Sequence, residues 1–126
     1  MSGSYDAEVQ DLMTRYFEGL YHSNSDILRT VFHPDLAYVN GTEGTYEHMG
    51  LDAYMTRIDA RTPPASRGDA RDEVIERITF KGTRIGMVEA RMTMMGRNYQ
   101  DLLTIIHTDQ GWRVLTKVFS FVERKD

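Results

Sequence analysis

A chain of 126 residues, 40% hydrophobic and 27% charged, has the size and balance of one globular domain spanning residues 1–126. A net charge of -4 and a pI near 5.5 argue against nucleic acid as the partner, because phosphate contacts need clustered Lys and Arg. The lack of cysteine excludes a disulfide framework and thiolate chemistry, no apolar run is long enough to span a bilayer, and no secretory pattern opens the chain, so a cytoplasmic protein is expected.

The first element is an amphipathic helix over Tyr5 to Tyr21. Val9, Leu12, Met13, Tyr16, Phe17 and Leu20 recur at the i, i+3, i+4, i+7 spacing of one buried stripe. His22 to Ser25 break it. Asn24 or Ser25 can cap a second, short helix carrying Ile27, Leu28, Val31 and Phe32. Pro34 ends that helix, since the residue before a proline is driven out of the helical region. Leu36 to Gly41 reads as a strand with Leu36, Tyr38 and Asn40 on one face, followed by a turn and a short return strand over Thr45 to Glu47. A third helix runs from Leu51 to Arg61 on the stripe Leu51, Tyr54, Met55 and Ile58, and Pro63-Pro64 terminates it. A polar surface loop then leads to Asp69.

Four strands follow. Glu73 to Lys81 and Arg84 to Met95 are joined near Gly82. In the first, Glu76 alternates in phase with Val74, Ile78 and Phe80, which leaves its burial open. In the second, Val88, Ala90, Met92 and Met94 oppose Glu89, Arg91 and Thr93. The stretch Asn98 to Val122 closes the chain as a hairpin around Thr108 to Gly111. Strict alternation puts Tyr99, Asp101, Leu103, Ile105 and His107 on one face of its first arm. In the second arm it puts Trp112, Val114, Thr116, Val118 and Ser120 on one face. Arg113, Leu115, Lys117, Phe119 and Phe121 fall on the other. Both faces hold apolar residues, so each is expected to be covered, one by the core and one by another layer or subunit. Consecutive strands with tight turns should pair antiparallel, and helices segregated to one side give an α+β layer. An internal pocket between them is the default ligand site.

Asp101 is the residue that stands out. A carboxylate on an apolar face must find hydrogen bonds, take up a proton or border a wet cavity. Tyr16 lies on the buried stripe and can be its partner or an ordinary buried phenol. His33 can serve as an acid or base at the strand mouth, or simply order a loop. Tyr38, Asn40, Tyr54 and Met92 are candidate pocket walls by phase. Trp112 either packs on the first helix or stacks on a ligand. The histidines lack metal-site spacing, and no nucleophile elbow or glycine-rich phosphate loop is present, so neither a metal nor a cofactor is expected.

This order of elements resembles the nuclear transport factor 2-like superfamily, the cystatin-like α+β cone that includes ketosteroid isomerase, scytalone dehydratase and the polyketide cyclases. The resemblance covers nearly the whole chain. Phe32-His33-Pro34-Asp35, Asp101-Leu102-Leu103-Thr104, Asp109 to Val114 and Lys117-Val118-Phe119 look like the subfamily named for lumazine binding. Gln10 to Tyr16 resembles the first helix of ketosteroid isomerase. The resemblance implies that Tyr16 falls on that enzyme's oxyanion-hole tyrosine and Asp101 on its proton-donating late-strand aspartate. The enzyme's general base falls on Asn40, and an amide takes no proton at neutral pH. The implied function is binding of a carbonyl-bearing or aromatic small molecule. The alternatives are a cofactor-free isomerase, dehydratase or cyclase in which His33 supplies the base, and a dimerising domain with a vestigial pocket. A homodimer is implied, through an outer sheet face carrying Leu115, Lys117 and Phe119.

Overall fold

The computed structural model describes residues 2–124, with side chains from Tyr5 onward. Helix α1 (Ser2–Tyr21) begins three residues before the expected start. Its stripe is sealed: Val9, Leu12, Met13 and Tyr16 have no exposed surface. Each such aliphatic side chain contributes about 1.5–3 kcal/mol relative to exposure. Helix α2 (Ser25–Leu28) is capped by Asn24, whose side-chain oxygen accepts from the Ile27 amide at 3.1 Å. Gly19 lets α2 approach α1, because a Cβ there would stand 2.6 Å from the Leu28 side chain.

Helix α2 stops short of Val31 and Phe32. Strand β1 (Phe32–Asn40) takes in Phe32 and the His33-Pro34 pair, and its register is irregular between Phe32 and Ala37, where a proline that cannot donate to a ladder is tolerated. Strand β2 (Glu47–Met49) is the short return strand, two residues later than expected, paired antiparallel with Tyr38 to Asn40. Helix α3 (Leu51–Ala60) buries Tyr54, Met55 and Ile58. A single 3-10 turn (Pro64–Arg67) interrupts the loop that follows.

Strands β3 (Asp72–Lys81), β4 (Ile85–Met94), β5 (Arg97–Thr108) and β6 (Gly111–Glu123) form an antiparallel meander. Strand β1 joins it parallel to β6, giving a six-stranded mixed sheet in the order β2-β1-β6-β5-β4-β3. The helices pack on one face, and the main core lies between that face and α1, α2 and α3. The β4–β5 turn is made by Met95 and Gly96, both at positive φ (53° and 72°). That is the backbone a two-residue hairpin turn of this hand requires, and it holds a non-glycine residue in the left-handed region.

Two bulges decide which side chains face inward. In β3 the register shifts between Ile75 and Arg77, so Glu76 is an extra residue. Glu76 is exposed and pairs with Arg91 at 3.4 Å, while Ile75, Ile78 and Phe80 pack on the core. In β6 Thr104 faces Thr116 but Ile105 faces Val114, so Leu115 is the extra residue. An inserted residue switches the phase of everything beyond it. Trp112 and Val114 point inward before the bulge, Lys117 and Phe119 after it. The expectation that Lys117 and Phe119 lie on the outer sheet face is therefore corrected: both are buried on the helix side. The outer face instead exposes Ile85, Met87, Leu102, Val118 and Val122.

Candidate functional site

Asp101 lies on β5 opposite Phe119, and Lys117 lies on β6 opposite Leu103. The carboxylate and the ammonium are thus diagonal neighbours on one face, within reach of a long side chain. Helix α1 lays Tyr16 over both. Its hydroxyl donates a hydrogen bond to Asp101 Oδ2 and accepts one from Lys117 Nζ at 2.6 Å. Lys117 Nζ stands 3.8 Å from the same carboxylate oxygen. All three side chains are essentially removed from solvent: Asp101 is 1% exposed, Lys117 4% and Tyr16 0%. Burial, and then the neighbouring Asp101 charge, push the Tyr16 phenol well above its usual value, so it holds its proton and donates it. Asp101 Oδ1 has no hydrogen-bond partner among the described residues.

The ammonium sits among rings. Lys117 Nζ is 4.9 Å from the centre of the Tyr16 ring, 5.2 Å from Phe119 and 5.6 Å from Tyr54. These are cation–π distances in a desolvated setting. One ammonium hydrogen is directed to Tyr16. Past it opens a cavity of about 430 Å³ between α3, β1 and the inner sheet face. Lys117 is part of its lining, while Tyr16 and Asp101 lie behind Lys117 and are not.

The remaining lining is amphipathic. Tyr38, Tyr54, Tyr99, Phe119, Met92 and Met94 supply apolar walls. Burial raises the Tyr54 and Tyr38 phenols above their usual value, so both present neutral hydroxyls. Asn40 is buried: its amide nitrogen donates to Glu47 Oε1 at 3.1 Å, and its oxygen accepts from the Thr42 amide and hydroxyl. Glu47 in turn takes two bonds from Arg57, at 3.1 and 3.3 Å. Arg57, then Asn40, hold the Glu47 carboxyl below its ordinary value.

Of the residues singled out in the sequence, Tyr38, Asn40, Tyr54 and Met92 line the cavity, and Tyr16 and Asp101 meet beside it. His33 and Trp112 are not in the lining. His33 Nδ1 accepts from the Asp35 amide at 2.9 Å, ordering the Pro34 corner. Trp112 packs edge-on against Tyr5 of α1, with ring centres 5.5 Å apart, and also meets Phe80 and His107. Sequence reasoning passed over Lys117 as a site residue. Its signal was the change in phase of the large apolar residues, from Trp112 and Val114 to Phe119 and Phe121. That change marks a bulge and carries Lys117 inward with Phe119.

Three helices laid on one face of a six-stranded mixed sheet, with a cavity between them, define the nuclear transport factor 2-like, cystatin-like class of α+β domain. The same fold appears in an NTF2-like protein of unknown function from Silicibacter pomeroyi (20% identity, 97% of this chain and 99% of that one, TM-score 0.81). It appears in a cystatin-like fold protein from Burkholderia xenovorans (17% identity, 97% and 95% covered, TM-score 0.75) and in a ketosteroid isomerase-like protein from Erwinia carotovora atroseptica (11% identity, 93% and 95% covered, TM-score 0.72). No curated protein matches the chain. The model of the family described as "Putative lumazine-binding" matches residues 4–120, and the chain belongs to that family.

Proposed function

We propose that this protein is a cytoplasmic small-molecule-binding domain, whose cavity takes a ring-bearing ligand with an acceptor oxygen against Lys117 Nζ. The observation that carries the reading is a buried ammonium that lines the cavity and is held from behind by Tyr16 and Asp101. An ion pair kept out of water beside a cavity is costly to desolvate, and buried ionisable groups in clefts concentrate at functional sites. The family's description points the same way, toward a small organic ligand. Tyr16 and Asp101 orient the ammonium; Tyr38, Asn40, Tyr54 and Met92 shape the walls.

A second reading, a cofactor-free isomerase, dehydratase or cyclase, has one observation in its favour. Lys117, Tyr16 and Asp101 form an unbroken line of hydrogen bonds, each donated away from the cavity, which leaves the other ammonium protons of Lys117 free to face a ligand. Lys117, not His33, would then deliver a proton to a ligand carbonyl.

The test compares small molecules extracted from purified wild type and from the double variant Lys117→Met/Asp101→Leu, by mass spectrometry. A compound retained by the wild type and missing from the variant is the expected result. Identical extracts, with both proteins folded, would remove Lys117 from the site. We also propose a homodimer through the outer sheet face, where Leu102 pairs across the strands with Val118 beside exposed Ile85 and Met87. Val118→Lys should lower the molar mass measured by light scattering; an unchanged mass would exclude that face.

A further inference from the structure

The charge around the cavity is lopsided. Lys117, Arg57, Arg61 and Arg97 line it, against one lining carboxylate, Glu47, in a chain whose net charge is -4. Three of the four cations have acidic partners. Lys117 has Asp101 at 3.8 Å, Arg57 has Glu47 at 3.1 Å, and Arg97 has Glu123 at 3.4 Å with its guanidinium over the Phe121 ring. Arg61 is different. Its Nε donates to the Ser23 hydroxyl at 2.8 Å and its Nη2 to the Leu20 carbonyl at 2.5 Å. Both acceptors are neutral, and no carboxylate pairs with Arg61 among the described residues.

A guanidinium carries five N–H donors in a rigid fork, and two bonds leave most of it available. The bonds to Ser23 and Leu20 come from the end of α1, and the Arg61 backbone amide is tied to Ile58 at the end of α3. The group is therefore held in place before any ligand arrives, which reduces the entropy lost on binding. Positive charge concentrated at a cavity, in a protein that is acidic as a whole, attracts anions toward it.

Resting on the small-molecule reading above, we infer that the ligand is an aromatic or alicyclic carboxylate, whose carboxylate pairs with Arg61 while its ring system lies between the tyrosine and methionine walls. The neutral acceptor oxygen of the same molecule meets Lys117, whose own charge is already answered by Asp101. Two cationic groups in one cavity thus have different tasks: the uncompensated guanidinium selects the anion, and the compensated ammonium reads a neutral oxygen.

The experiment uses 2-naphthoate and its neutral isostere 2-naphthamide, titrated by calorimetry into wild type, Arg61→Gln and Arg61→Lys. The wild type should bind naphthoate at least ~10-fold more tightly than naphthamide. Arg61→Gln should erase that preference by weakening naphthoate far more than naphthamide, and Arg61→Lys should keep part of it. Should Arg61→Gln fail to fold, salt supplies the same information on the wild type: raising NaCl from about 0.05 to about 0.5 M should weaken naphthoate and spare naphthamide. Equal affinities for the two probes, or equal weakening of both, would overturn the carboxylate assignment and leave the cavity reading standing. Binding of neither probe would overturn both.

Discussion

The central residues are Tyr16, Asp101 and Lys117, and their energetics follow from burial. Lys117 and Asp101 are 5% and 0% exposed at their side chains, so each charge depends on the other and on the phenol between them. Removing one partner leaves a buried charge unanswered, which costs about 3–5 kcal/mol. Replacing both by apolar residues removes the desolvation penalty with the attraction and is often close to neutral. Chemical denaturation of Lys117→Met, Asp101→Leu and the double variant should therefore show two large losses and a double variant within about 1 kcal/mol of wild type. Additive losses would mean that the pair does not interact. Tyr16→Phe keeps the ring in its buried site but deletes the bridging hydroxyl; a loss of about 2–3 kcal/mol is expected, since both hydrogen bonds to it involve charged groups.

At the scale of elements, what the sequence made legible was periodicity, and what it concealed was interruption of periodicity. The stripe of α1, the stripe of α3 and the alternation in β4 and β5 correspond to buried faces in the structure. Tyr16 and Asp101 could be singled out because both lie on uninterrupted patterns. Lys117 could not, because Leu115 adds one residue ahead of it and reverses every side chain that follows. Glu76 conceals the phase of β3 in the same way. The parallel pairing of β1 with β6 was also hidden, since it joins strands far apart in the chain. Deleting Leu115 should join Val114 directly to Thr116 in an unbulged ladder that keeps the pairings Thr104–Thr116 and Ile105–Val114 and leaves Lys117 and Phe119 facing inward. The expected outcome is a deletion variant that keeps a cooperative thermal transition and a buried Lys117; loss of the transition would contradict the assignment of Leu115 as the extra residue.

A second element-scale prediction concerns Glu47, which joins β2 to α3 through Arg57 and to β1 through Asn40. Its carboxyl is held below the ordinary value of 4.5 by Arg57 and Asn40. The unfolded chain therefore binds that proton more readily, and the contribution is complete above 4.5 and lost as pH falls below it. Thermal melts of wild type and Glu47→Gln should differ at pH 7 and converge in acid. A constant difference across that range would contradict the assignment.

Across the whole molecule, one sheet serves two surfaces. Its inner face, with the three helices, encloses the core and the cavity; its outer face presents the apolar row that we assign to a second copy. The bulge in β6 divides these roles, since it turns Lys117 and Phe119 in and leaves Val118 out. The most direct test is nitrogen-15 NMR of the lysine side chains. An ammonium hydrogen-bonded to Tyr16 and screened from water exchanges its protons slowly, so Lys117 should give a sharp Nζ resonance at neutral pH, absent in Lys117→Arg and shifted when 6-hydroxy-2-naphthoate, which carries a neutral oxygen as well as a carboxylate, is added. If no lysine ammonium is protected from exchange, or the protected one ignores every cavity ligand, the account of this site is wrong.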